Sequence, residues 1–182
     1  MTTPDVAPAV ADSELTLEAI EARADRRGLL LRLRAPRRLG VWGLQVVVAR
    51  PRPGRSPLLL GELKGWAIPT AAGLRLDTLR VQGEGSHGVG ALIWAATFAW
   101  ALEATPCRRA RLLAIRDAPE QHRRLVRYFE RLGFRAEREL GAGPLDLGPR
   151  LLWGGSGLLM EGDCAGGLRR CARWLGTRSA AG

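Results

Sequence analysis

The residues best suited to chemistry lie between Asp77 and Tyr128. Gly85, Gly88 and Gly90 punctuate a short turn, with Ser86, His87, Val89 and Ala91 filling the rest of G-S-H-G-V-G-A, and an alanine- and tryptophan-rich run follows at once. A turn of this kind at a helix start leaves several backbone N–H groups without intrahelical partners. Together with the helix dipole they make a seat for phosphate oxygens. Ser86 and His87 add hydrogen-bonding side chains, so a phosphate-bearing cofactor is the functional reading and a plain structural turn the competing one. Upstream, Asp77 is the only acid in the run L-R-L-D-T-L-R-V-Q, and Glu84 follows in the loop. Either carboxylate can order a water or draw a proton from an amine; a simple ion pair with one of the many arginines is the alternative. Tyr128 is the single tyrosine, and it serves either as a proton donor or as an ordinary packing and hydrogen-bonding residue.

These groups need elements to hold them. Residues 1–12 carry two prolines and no apolar period, and read as a tail. Ser13 or Thr16 caps a helix through L-E-A-I-E-A-R-A-D-R-R that Gly28 ends. Strands are expected over Leu29–Arg34, with Arg32 and Arg34 outward, over Val41–Arg50, over Leu58–Ile68 and over Leu74–Gln82, with R-P-R-P-G-R-S-P as an exposed connection. On the last strand simple alternation sets Leu74, Leu76, Thr78 and Arg80 against Arg75, Asp77, Leu79 and Val81. That strand, ending near Val81, can offer free backbone groups to the amide arm of a cofactor. Ala91–Glu103 is apolar on nearly every face and must be enclosed, under a sheet or against another protomer, which leaves a homo-oligomer open.

Further on, A-R-L-L-A-I-R-D reads as a strand, and Asp117, Pro119 and Glu120 suit the start of a helix that displays Arg123, Arg124, Arg127 and Arg131 around Leu125, Phe129 and Leu132. A strand follows Gly133, then a loop over G-A-G-P-L-D-L-G-P, a strand within Leu151–Glu161, and a helix over Asp163–Leu175 with Leu168, Cys171 and Trp174 facing inward. Residues 177–182 read as a second tail, leaving one domain over 13–176.

Gly88-Val89-Gly90 and Phe129-Glu130-Arg131-Leu132-Gly133-Phe134, about 40 residues apart with a strand between them, resemble the two signatures of the GNAT acetyltransferase superfamily: a pyrophosphate loop Arg/Gln-x-x-Gly-x-Gly/Ala and a later Tyr-x-x-Gly-Phe-like run. The resemblance covers residues 42–160. It implies an α/β fold with a mixed, mostly antiparallel sheet flanked by helices. It also implies acetyl-CoA or another acyl-CoA as cosubstrate, held by Val81 and the Gly85–Ala91 loop, and an amine or protein acceptor near a first helix that borders the cleft. The strand before the loop would pair with pantetheine and carry or neighbour a catalytic carboxylate, which is Asp77 here. Three positions depart from the family: its Arg or Gln falls on Gly85, its Asn on His122, and its general-acid tyrosine on Phe129. Tyr128 is adjacent, yet successive helical side chains point about 100 degrees apart, so only a local register change would bring it to a leaving thiolate.

A net charge of +10, with Lys64 the sole lysine, permits contact with RNA or an acidic protein; coding bias toward arginine is the plainer source. No helix-turn-helix, zinc or aromatic RNA-binding motif accompanies the arginines. Cys107, Cys164 and Cys171 lack paired metal-ligand spacing and fit a reducing, cytoplasmic setting. The longest apolar run, Val89–Leu102, is too short for an integral membrane segment. The expected activity is an acyl-CoA-dependent N-acyltransferase, the alternative a degenerate acetyltransferase-like module that binds protein or RNA without catalysis.

Overall fold

A computed structural model describes residues 15–82, 88–116, 118–141 and 143–176. The order is α1 (Leu17–Arg26), β1 (Leu30–Arg34), β2 (Arg37–Arg38), β3 (Val41–Arg52), β4 (Arg55–Ala67), β5 (Leu74–Val81), α2 (Val89–Ala104), β6 (Arg109–Ile115), α3 (Pro119–Leu132), β7 (Phe134–Leu140), α4 (Leu147–Trp153) after one 3-10 turn, β8 (Gly157–Asp163) and α5 (Cys164–Gly176). The strands form one sheet in the order β1-β3-β4-β5-β6-β8-β7, with β2 paired to the start of β3. Every pairing is antiparallel except β5 with β6. The fold is therefore α/β, with a mixed, mostly antiparallel sheet flanked by helices.

Helix α2 accounts for most of the core. Eleven of its side chains are buried, and its apolar surface continues all the way round because it has neighbours on several sides. It lies across β3, β4 and β5, while α1 and α5 close over it. A Cβ at Gly61 of β4 would stand 2.7 Å from Ile93 Cδ1, and one at Gly167 of α5 2.5 Å from Phe98 Cε2, so both faces of α2 are seated closely. Its enclosure is thus complete within one chain. The connection from β5 through α2 to parallel β6 is a βαβ crossover, which the twist of the strands directs to one side of the sheet. Helix α3 covers β6 and β7 beside α5.

Thr16 Oγ1 accepts from Ala19 N at 3.2 Å and caps α1. That helix leans on α2, with Leu17 N donating to Glu103 Oε1 at 2.8 Å. Its stripe of Ile20 and Ala24 is buried, and burial against α2 sets its position. Three expectations are corrected. The arginine- and proline-rich connection is mostly strand: β3 runs to Arg52, β4 begins at Arg55, and the hairpin turns tightly between them. The loop after β7 contains α4, and the strand expected within Leu151–Glu161 is β8, from Gly157 to Asp163. On β5, Lys64 pairs with Thr78 but Gly65 pairs with Leu76, so Asp77 is an extra residue in a β-bulge. Past it the alternation flips: Leu74, Leu76, Leu79 and Val81 are opposite Ala67, Gly65, Leu63 and Gly61 on the α2 side, and Thr78 and Arg80 take the other face. The expected tails, Ser13 as a cap and Asp117 as a cap lie outside the described residues.

Candidate functional site

The bulge at Asp77 coincides with a fork in the sheet. Strands β5 and β6 pair only over Leu74–Leu76 and Ala110–Leu112; beyond, Asp77–Val81 and Leu113–Ile115 separate. The extra residue bends β5 and increases its local twist, which steers it away from β6. The separated strands, α3 and Trp94 of α2 enclose a cleft of about 670 Å³, within the range of small-molecule sites. Asp77, Arg80, Leu113, Arg124, Tyr128 and Phe129 are among the residues that line it.

Asp77 stands at the fork with its edge open to solvent, yet the surrounding protein still raises its carboxyl above the usual carboxylate range, an effect that Arg75 offsets. A raised carboxylate is a better proton acceptor near neutrality. Tyr128 reaches the cleft from α3, and its hydroxyl oxygen accepts from Trp94 Nε1 at 2.8 Å. Indole can only donate, so the tyrosine keeps its own proton, and burial pushes its pKa upward. Among the described residues no acceptor takes that proton. Phe129, at the family's tyrosine position, is instead buried beside Trp94, Phe134 and Tyr128. Helix α3 is continuous through both residues, and both meet Trp94 of α2 and line the cleft, so Tyr128 reaches it without the register change that the sequence reading required.

Gly88 caps α2 at φ 79 with no side-chain hydrogen bond, leaving the first N–H groups of the helix uncapped by side chains. Its left-handed backbone is one that glycine adopts without penalty. Gly90 is required for a different reason. A Cβ there would stand 3.1 Å from the Tyr128 hydroxyl, so the absent side chain is what lets Tyr128 close on the first turn of α2. Val89 is buried under the sheet and Ala91 is half-buried in the same turn. Val81 ends β5 opposite Gly61 and is 41% exposed. Gly85, Ser86, His87 and Glu84 lie outside the described residues.

Arg27 was not among the expected site residues, because it belongs to the far end of α1. Its Nη1 stands 3.2 Å from where a Gly88 Cβ would be, and its Nη2 donates to Leu175 O at 3.3 Å. A guanidinium from another element thus lies beside the α2 N-terminus. Tertiary packing creates this meeting, and no local motif announces it. His122, at the family's Asn position, has Nδ1 3.2 Å from Ile115 O and ties α3 to the end of β6. Arg123, Arg124, Arg127 and Arg131 are exposed, and Arg124 also lines the cleft. The three cysteines are buried; burial pushes the Cys164 and Cys171 thiols up to about 12, so neither is a nucleophile at neutral pH. No helix of the described residues is long and apolar enough to cross a membrane.

No family model matches the sequence, and no curated protein does. Among solved structures, the chain is similar to an uncharacterized protein from Bacillus halodurans, with a TM-score of 0.47 and 14% identity over 74% of this chain and 66% of that one. The match spans just under two thirds of that protein's length.

Proposed function

We propose that this chain is an acyl-CoA-dependent N-acyltransferase that moves acetyl from acetyl-CoA to a primary amine. The observation that carries this reading is the forked β5–β6 cleft, with Asp77 on one wall, Tyr128 on another, and the α2 N-terminus at Gly88 close by. The residues present fit the cosubstrate: uncapped N–H groups and Arg27 suit its phosphates, and the separated edge of β5 has free backbone groups for an amide-bearing arm. We carry over a cytoplasmic setting as part of the same reading.

When bound, acetyl-CoA supplies the acyl group as a thioester: an N–C bond forms to the acceptor, the C–S bond breaks, and the thiolate leaves with the electron pair. Asp77 takes one proton from the acceptor ammonium so that nitrogen has a lone pair to attack with. Tyr128 gives its hydroxyl proton to the departing sulfur and regains one from the nitrogen through the cleft. The bulge and the fork free β5 backbone donors to face the thioester carbonyl. The test is CoA release against a broad panel of amines and peptides, with mass detection of the acylated product. Acetyl-CoA bound without product from any acceptor would favour the noncatalytic reading, for which the exposed Arg123, Arg127 and Arg131 of α3 are the best support as an RNA or acidic-protein contact.

Arg27 gives a sharper check. Arg27→Gln is expected to weaken acetyl-CoA binding about 10-fold, the loss of one charge-assisted contact. Binding of a short acetyl thioester that lacks phosphates should not change. Equal weakening of both ligands would mean that Arg27 acts through folding rather than on phosphate.

A further inference from the structure

On the sheet face away from α2, one cation has no direct ion pair among the described residues. Trp66, Arg75, Arg111 and Glu161 are register neighbours across β4, β5, β6 and β8. Arg111 holds Glu161 at 2.8 Å and Glu137 at 3.0 Å, and Arg109 shares Glu161 at 3.0 Å. Among the described residues Arg75 has neither an ion pair nor a hydrogen bond, and its Nε is buried without an acceptor. Instead its guanidinium lies between two indoles, with Cζ 5.5 Å from the Trp66 ring centre and 5.0 Å from that of Trp153 on α4. Burial, the larger cause, and the nearby Arg111 press its pKa downward, and the charges of Glu137 and Asp77, neither in contact with it, offset part of that.

The two indoles lie close to the guanidinium, and its Nε edge is left without an acceptor. An edge of that planar fork is what a carboxylate meets with two parallel hydrogen bonds. Two half-buried indoles lie against the fork, which limits the side-chain freedom lost when an anion arrives. An unsatisfied buried donor is uncommon in a folded protein and calls for a physical explanation; a ligand oxygen would satisfy it. The location narrows the ligand. Arg75 is one residue before the last β5–β6 pair and Asp77 is the first residue past it. Two strand residues span about 7 Å, so a group held by Arg75 is within a few bonds of a nitrogen held at Asp77.

We infer that the acceptor is an amine with a carboxylate a few bonds from its nitrogen, such as a free amino acid or a dipeptide, and that Arg75 binds that carboxylate. This inference rests on the acyltransferase reading for its reaction but not for its binding site. Trp153 forms one wall of the site, which gives α4 a role in selecting the acceptor.

The experiment pairs free amino acids and dipeptides with their own carboxamides. Acetyl transfer is followed by CoA release, and binding in the absence of acetyl-CoA by tryptophan fluorescence, since Trp66 and Trp153 flank the site. Acids are expected to surpass their amides by about 10- to 100-fold in kcat/KM, and Arg75→Gln should bring that ratio close to one. Arg75→Lys keeps the charge without the fork and should retain only part of the preference. Circular dichroism establishes that each variant is folded. Equal use of acids and amides by the unmodified chain, or a ratio unaltered by Arg75→Gln, overturns the inference. If acetyl-CoA itself does not bind, the acyltransferase reading falls separately and the fluorescence arm decides: acid-selective quenching that Arg75→Gln abolishes upholds the carboxylate site, and no acid-selective quenching refutes it.

Discussion

Replacing Asp77 by asparagine is expected to lower acetyl transfer by about 100- to 10,000-fold, the usual contribution of a positioned general base. Asparagine nearly preserves size and hydrogen bonding at the bulge, so the bend of β5 and the fork should survive while proton acceptance is lost. The pH dependence provides the sign. As the proposed base Asp77 would act in its ionised form, and its pKa is raised, so transfer by the unmodified chain should fall as pH drops through that raised value. In Asp77→Asn this acid limb should disappear from the residual rate. Steady-state CoA release across a pH series measures both effects. A variant with normal turnover, or with the acid limb intact, would assign the base to another group.

The second large effect is on stability. Trp94 is fully buried in α2; its ring centre lies 5.5 Å from Phe98, 6.1 Å from Phe129 and 5.6 Å from Phe134, and its Nε1 donates to Tyr128. It joins α2, α3 and β7 at one point. Trp94→Ala is expected to cost about 3–5 kcal/mol, from lost apolar burial and the cavity left behind. Trp94→Phe keeps most of the packing and removes the hydrogen bond, at a cost of about 1 kcal/mol. Urea unfolding reads both as shifts of the midpoint at constant slope. Equal shifts for the two variants would mean that the hydrogen bond to Tyr128, rather than the aromatic cluster, holds these elements together.

What could be read in advance were the features that neighbouring residues determine. The all-round apolar surface of Ala91–Glu103 called for enclosure, the cap at Thr16 and the turn at Gly133 marked helix ends, and the valine- and leucine-rich runs marked strands. Asp77, Tyr128, Gly88 and Gly90 were recognisable as candidates from residue type and spacing. Four features depend instead on distant contacts. The bulge at Asp77 is visible only in the register of β5 against β4, so alternation assigned Leu79 and Val81 to the wrong face. Helix α4 has seven residues within a stretch rich in glycine and proline, which locally reads as loop; its Trp153 gains a purpose only over Arg75. Arg27 meets Gly88 because α1 leans on α2. Trp94 binds Tyr128 because glycine at position 90 lets α3 approach, a relation across 34 residues of chain.

The central claim is that the cleft and the α2 N-terminus bind acyl-CoA, and calorimetric titration of the intact chain with acetyl-CoA tests it most directly. Gly90→Leu is the matched control, because a side chain there would press on the Tyr128 hydroxyl and obstruct the first turn of α2. Saturable binding by the unmodified chain, lost in folded Gly90→Leu, is the expected result; no saturable heat at millimolar acetyl-CoA, or identical binding by both proteins, would contradict it.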